Sequence, residues 1–345
     1  MAQFVGLDVS IKETSICIVD ETGIVLWEGR RASEPSVLAS AIRRYAPEAV
    51  RVGLETGPTS AWHWHGLRDL GVPIVCVDAR HAKAALSMRL NKSDKNDAHG
   101  LAEIMRTGWY REVKVKSLQS HGIQALLGAR ARLVKVRHEL ANQIRATLMG
   151  VGLRVPNSRG RGFADQVEAI VREHNWLAPL IEPLVLVWRR ALEQVAAMDR
   201  RLRAIARAHP DCRRLMTVPG VGAIVALAFA AAVDDPARFA ASSSVGAYLG
   251  LTPRRYQSGE VDRTGRISKC GDRQLRTYLY EAALVVLFRV QKWSALKAWG
   301  MRILKRSGVR KAAVAIARKL AVLMHAMLVK QTDFHWSKQQ EQTAA

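Results

Sequence analysis

The stretch QFVGLDVSIKETSICIVDETGIVLWEGR, residues 3–30, decides how the N-terminal part of this chain is read. Three apolar runs, FVGLDVS (4–10), TSICIVD (14–20) and GIVLWEGR (23–30), are each of strand length. The turn signal ETG separates the last two, so the spacing predicts a three-stranded meander. Outward from it the pattern alternates. A helix is expected over 36–46, the strand AVRVGLE over 49–55, a helix over 60–70 and the strand VPIVCVD over 72–78, followed by helices over 79–90 and 94–107. Strands in a meander followed by strands alternating with helices make an α/β domain over residues 1–112.

Beyond it the periodicity turns helical. Leu126, Leu133, Leu140, Ile144, Leu148 and Val151 recur at helical spacing, with Arg130, Arg132, Lys135, Arg137 and Arg145 between them. The Gly/Pro/Arg-rich MGVGLRVPNSRGRG (149–162) breaks this helix, and a second is expected over 165–208. Residues 113–208 therefore read as a basic helical hairpin, either an intramolecular pair or a coiled coil that joins chains. A mainly helical third part runs over 209–335, and 336–345 reads as a frayed tail.

Charge separates these parts. The chain has 345 residues, 49% hydrophobic and 24% charged, and a formal net charge of +23. Residues 1–112 hold 14 basic and 14 acidic residues, so the whole surplus falls on 113–345. A basic body on a neutral head suits a polyanionic partner. The four cysteines are scattered and form no CxxC pair, so neither a zinc ribbon nor a disulfide framework is expected. With no leader and no 18-residue apolar run seen, the reading is a cytoplasmic protein with no membrane partner.

Four carboxylates stand out. Asp8 and Glu55 fall at strand ends, and Asp94 and Asp97 share one face of a helix start. Together they offer hard oxygen ligands to a divalent cation such as Mg²⁺, whose ions can clamp the oxygens of a phosphodiester. Taken singly, Asp8 also reads as a turn residue, Asp94 as a helix N-cap and Asp97 as a residue favoured by the helix dipole. In GLTPRRYQSGEVDRTGRISKCGDRQLR (250–276), seven basic residues (Arg254, Arg255, Arg263, Arg266, Lys269, Arg273 and Arg276) surround Ser258-Gly259. Such a loop suits phosphate, and a surface turn is the plain alternative. TVPGVGAIVALAFA (217–230) reads either as a plain turn between helices or as a helix–hairpin–helix segment. In the second case the Gly220 and Gly222 backbone would face phosphate. Lys92 and Lys95, beside the paired aspartates, are candidate phosphate contacts. The tryptophans and histidines of AWHWHGL (61–67) suit packing or groove contacts better than metal ligation.

GLDVS, LETGPTS and KSDKNDAHGLAEIMRTG resemble the 110-type DEDD transposases of bacterial insertion sequences, the 110/1111 group that includes the pilin-gene DNA invertases. The resemblance covers nearly the whole chain. It implies a ribonuclease-H-like (RuvC-like) α/β domain, a helical coiled-coil middle and a mainly α C-terminal transposase domain. It also implies a metal-binding tetrad at Asp8, Glu55, Asp94 and Asp97. The family pattern G-x-x-P…S-G…G…R-x-x-L falls on Gly250, Pro253, Ser258, Gly259, Gly265, Arg273 and Arg276, which implies Ser258 as a strand-cleaving nucleophile. Implied partners are donor and target DNA, a structured guide RNA encoded by the element, and further copies of the chain in a dimer or tetramer on the nucleoid. Two other readings of the residues stay open: a RuvC-like nuclease or junction resolvase that uses water, and a non-catalytic nucleic-acid binder.

Overall fold

The computed structural model describes residues 1–86, 93–156, 160–259 and 261–336. Lys92 lies outside them, as does the expected end of the helix over 79–90 and the tail from residue 337. The chain divides at Leu118/Gln119 into two compact units.

The first unit, Met1–Leu118, begins with the meander β1 (Gln3–Val9), β2 (Glu13–Asp20) and β3 (Val25–Ala32). There follow α1 (Pro35–Tyr45), β4 (Ala49–Glu55), α2 (Ser60–Asp69), β5 (Ile74–Val77), α3 (Ala79–Leu86) and α4 (Asp94–Thr107). The strands form one sheet in the order β3-β2-β1-β4-β5, with β1, β4 and β5 mutually parallel. Pleating sorts the side chains onto two faces. Val5, Leu7, Ile16, Ile18, Val52 and Leu54 pack with Leu38, Ile42 and Leu67 of α1 and α2. Phe4, Cys17, Val19 and Val77 pack with Ala98, Leu101, Ala102 and Met105 of α4. The helix α4 lies directly on the strands at Gly6. A Cβ there would sit 2.9 Å from the Leu101 carbonyl carbon, and closer still to the Ala98 oxygen and the Ala102 amide. At Gly53 a Cβ would meet the Met105 side chain. Two glycines on one sheet face thus set how near α4 approaches.

The second unit, Gln119–Ala345, contains almost all of α5 (Leu118–Gly150), then α6 (Arg161–Glu173), a 3₁₀ turn at Asn175–Leu177, and α7 (Ala178–Ala208). The single helix expected over 165–208 is therefore two. The chain leaves helical geometry at His174 (φ −130°, ψ 68°), and Pro179 restarts it in the first turn of α7. One core joins Ala141, Ile144 and Leu148 of α5 to Phe163 and Val167 of α6 and Ile181, Val185 and Trp188 of α7. At the other ends of the long helices, Ile123, Leu127, Leu202 and Ala206 enter a separate and larger core. An Arg130–Asp199 ion pair ties α5 to α7 between the two.

The larger core also takes α8 (Pro210–Leu215), α9 (Ala223–Val233), α10 (Ser244–Tyr248), α11 (Arg273–Phe288) and α12 (Ala295–Lys330). Helix α12 has an 18-residue window with a mean hydropathy of 1.8, long and apolar enough to cross a membrane. Arg318 and Lys319 interrupt the run in sequence. Of that window 56% is buried inside the protein, where Leu320, Met324 and Leu328 help to form the core. The region expected as a basic loop is a β-ribbon, β6 (Pro253–Ser258) paired antiparallel with β7 (Val261–Ile267).

Candidate functional site

Strand register explains how residues distant in sequence come to share one row. Asp8 lies opposite Ser15, and Ser15 opposite Arg30. On the other side Leu7 lies opposite Leu54, so the next pair along the parallel ladder is Asp8 and Glu55. Residues opposite one another point to the same face. Asp8 follows Gly6 by two residues and Glu55 follows Gly53 by two, so both carboxylates lie on the face that α4 covers. Both are half-buried.

Helix α4 runs back along β1, with Ala98 and Ala102 over Gly6. Asp94 and Asp97 continue the inward stripe of Ala98, Leu101 and Met105 by one further turn. All four acids therefore belong to one sheet–helix layer, at the end where β1 and β4 terminate. The N-cap of α4 is Ser93, whose Oγ accepts the Asn96 N–H at 3.2 Å; Asp94 is not the cap. Both aspartates fall in the first turn, where the helix dipole favours negative charge.

The side chains do not converge as closely as the backbone allows. Among the described residues no group of three Asp, Glu, His or Cys side chains is placed to hold one ion. Arg30 draws Asp94 aside, its Nη2 donating to Oδ2 at 3.4 Å on an exposed surface. Lys95 pairs with Glu28 of β3, whose carboxylate holds the ammonium above its ordinary pKa. A pocket of about 270 Å³ opens here, lined by Ser10, Lys12, Glu13, Ser15, Arg30 and Asp94. In chemistry the donor set fits a hard divalent cation, since four carboxylate side chains supply only oxygen. The histidines of AWHWHGL bond backbone carbonyls. His63 is buried with both ring nitrogens on the Thr59 and Ser33 carbonyls, and His65 Nε2 bonds the Lys116 carbonyl. Cys76, on β5, is a buried thiol pushed up to about 12, by burial first and then by the charges of Glu112, Asp78 and Glu55.

In the second unit the ribbon β6–β7 is exposed on both faces, and Ser258 stands at its tip beside Gly259 (φ +54°). Arg255 makes a two-pronged pair with Asp262 across the strands, at 2.9 and 2.7 Å, which lowers the aspartate's pKa. Arg254 donates to the Ser268 carbonyl at 3.3 Å. Arg263, Arg266, Lys269 and Arg273 are exposed around it. Arg276 faces inward instead: its Nη1 reaches the carbonyls of Leu249 (3.2 Å), Gly271 (3.1 Å) and Cys270. It braces the base of the ribbon, where Gly250 (φ +66°) lies against the Cys270 backbone.

Gly220 and Gly222 fall in the turn between α8 and α9. Gly220 (φ +81°) packs inward, because a Cβ would come 2.7 Å from the Ala282 carbonyl oxygen. Gly222 is the exposed N-cap residue of α9. Of the neighbouring serines, Ser242 donates to or accepts from His325 Nδ1 at 2.9 Å, and Ser243 precedes α10 without a side-chain capping bond. Sequence reasoning missed Arg30, Glu28 and the bracing role of Arg276. Only the strand register, which pairs Ser15 with Arg30, could have brought Arg30 to the acids.

Two family models match parts of this chain. Residues 5–152 match the DEDD transposase model of the IS110 type, and residues 212–299 match the model of the transposase IS116/IS110/IS902 family. The transposase for insertion sequence element IS1111A of Coxiella burnetii is 31% identical over 342 residues, covering 96% of this chain and 91% of that protein. A probable family 20 transposase of Pseudomonas aeruginosa is 32% identical over 285 residues, covering 80% and 83%. The transposase for insertion sequence element IS1328 of Yersinia enterocolitica is 29% identical over 251 residues, covering 72% and 75%. With both of its units matched and a relative aligned over nearly its full length, the chain belongs to the IS110/IS116 family of insertion-sequence transposases.

Proposed function

We propose that this transposase cleaves and rejoins DNA through a covalent phosphoserine at Ser258, assisted by the acidic residues Asp8, Glu55, Asp94 and Asp97. The observation that carries the reading is the register that aligns Asp8 with Glu55 beneath the first turn of α4. The sheet order β3-β2-β1-β4-β5 supports a RuvC-like, ribonuclease-H-like first unit.

The four carboxylates would hold Mg²⁺, which when bound supplies Lewis-acid stabilisation of the charge developing on the phosphate. The Ser258 hydroxyl attacks the scissile phosphorus, and its proton leaves to a base. The P–O bond to one deoxyribose oxygen breaks, and that oxygen leaves as a protonated hydroxyl. The product is a serine phosphodiester, and attack by a new DNA hydroxyl reverses the step and releases Ser258. Arg254, Arg263, Arg266 and Lys269 neutralise phosphate charge around the tip. Arg255 already holds Asp262, so it stiffens the ribbon as well as contributing charge. An element-encoded structured RNA accounts for the basic surface of the helical body, and a dimer or tetramer joined through α5–α7 would let acids and serine come from different chains.

The test is a trapped intermediate. Purified protein with its co-purifying RNA is incubated with DNA carrying the ends of its own element, then denatured and digested. A phosphonucleotide on Ser258 by mass spectrometry is expected, lost in Ser258→Ala and much reduced in Asp8→Asn. Cleavage by Ser258→Ala at the wild-type rate would sink the serine mechanism and leave a water-using nuclease.

A further inference from the structure

The longest acid-free stretch in the second unit lies far along the chain from the serine. Between Glu281 and Asp333 no Asp or Glu occurs, while eleven Lys and Arg do. Five of them, Arg302, Lys305, Arg306, Arg310 and Lys311, fall within ten residues of α12 and are all exposed. Some cations elsewhere on this unit are matched by carboxylates: Arg189 by Asp165 and Glu168, Arg190 by Glu193, Lys135 by Glu139 and Arg255 by Asp262. None of the five takes part in an ion pair among the described residues.

Local structure explains how they come to stand together. Met301, Ile303 and Leu304 are half-buried against the large core, which leaves Arg302, Lys305 and Arg306 on the outer face at spacings of three and four. At Gly308 the backbone leaves the helix (φ 77°, ψ 171°), and a second helical segment begins with Arg310 and Lys311 in its first turn. Two cations at a helix start oppose the dipole, which disfavours positive charge there. The arrangement is thus unfavourable for the isolated protein, and an external anion relieves it.

We infer that the exposed cations flanking the Gly308 break of α12 form a second nucleic-acid contact, a track for a phosphate backbone separate from the serine ribbon. The inference rests on the nucleic-acid reading given above but not on the serine chemistry. The occupant is duplex DNA, a polyanion of regular charge spacing, because five cations without an ion pair among the described residues match phosphates and the patch offers little exposed apolar surface beyond Val309. Duplex DNA and folded RNA share that chemistry.

The experiment uses the full chain and the variant Arg302→Gln/Lys305→Gln/Arg306→Gln, which keeps helix-compatible side chains on an exposed face. Binding to a random-sequence DNA duplex and to a folded RNA of equal length is measured against KCl concentration. Each lost phosphate contact lowers the slope of log K against log salt by about 0.9 on duplex DNA. Three lost contacts lower it by about 2.7, which is roughly 10²–10³-fold weaker binding at 0.1 M salt if the curves meet at 1 M. A fall on the DNA duplex, with or without one on RNA, supports the inference, and a fall on RNA alone overturns it. Unchanged slopes on both probes overturn the inference. In parallel, acylation of lysines on the unaltered protein should show Lys305 and Lys311 protected by the nucleic acid. Equal labelling with and without it, or protection only by anionic phospholipid vesicles, overturns the inference too. Because Ser258→Ala reads cleavage and these assays read binding, failure of one is distinguishable from failure of the other.

Discussion

Replacing Gly6 with alanine should do more damage than its single methyl implies. The added Cβ would stand 2.9 Å from the Leu101 carbonyl carbon and nearer to the Ala98 oxygen and the Ala102 amide. Ordinary carbon contacts need about 3.5–4.0 Å, so α4 must retreat by about 1 Å. No side chain can absorb this, because the obstacles are helix backbone. The retreat opens the layer around Leu101, Ala102 and Met105, which are at most 1% exposed. Overpacking of this kind costs about 1–3 kcal/mol, and the rigid obstacle puts Gly6→Ala near the upper end. At about 1.4 kcal/mol per decade, amide protection in β1 and α4 should fall by about 10²-fold, read by hydrogen exchange with peptide resolution. Gly57→Ala is the control, since a Cβ there meets nothing within 4 Å. A Gly6→Ala chain with native protection in α4, or a Gly57→Ala chain damaged equally, would refute the close-packing argument. Because α4 carries Asp94 and Asp97, strand cleavage should fall in Gly6→Ala and persist in Gly57→Ala.

Other outcomes follow from the second unit and the thiols. Arg276→Met removes the donor that holds three carbonyls at the ribbon base, so trypsin should cut at Arg254, Arg255, Arg263 or Arg266 several-fold faster while α12 stays protected. A thiol reagent at neutral pH should label exposed Cys270 alone, leaving Cys76 and Cys212, both pushed to about 12 chiefly by burial, until denaturant is added. The Asp262 carboxyl is held below its ordinary pKa by Arg255, so the cross-strand pair is complete above the usual carboxylate range. It is lost as pH falls through the lowered value, and the ribbon's amide exchange should quicken only on that acid side.

The α/β layer was legible because β1, β2 and β5 are largely buried on both faces, so they show as apolar runs, and the helices as periodic stripes. Bounds such as Ala49–Glu55 and Asp94–Thr107 match the reading from residues alone. The ribbon was not legible as strands: PRRYQS and VDRTGRI bury neither face, and without a buried face there is no alternation to read. The break between α6 and α7 was hidden because apolar spacing continues across it, while Pro179 carried the signal. Among the candidate site residues, the acids were picked out by their position at element ends. Arg30 and Arg276 act through partners 64 residues away and through backbone carbonyls respectively, neither of which leaves a local pattern.

The separate cores at the two ends of α5 and α7 make those helices a ruler. Thirty-three helical residues extend about 50 Å, and the Arg130–Asp199 tie fixes the setting of one against the other. A deletion in α5 alone would bring one core into register while rotating the other out of it. Change of reach is therefore restricted to matched steps in both helices, near seven or eleven residues, that return each apolar face to its partner.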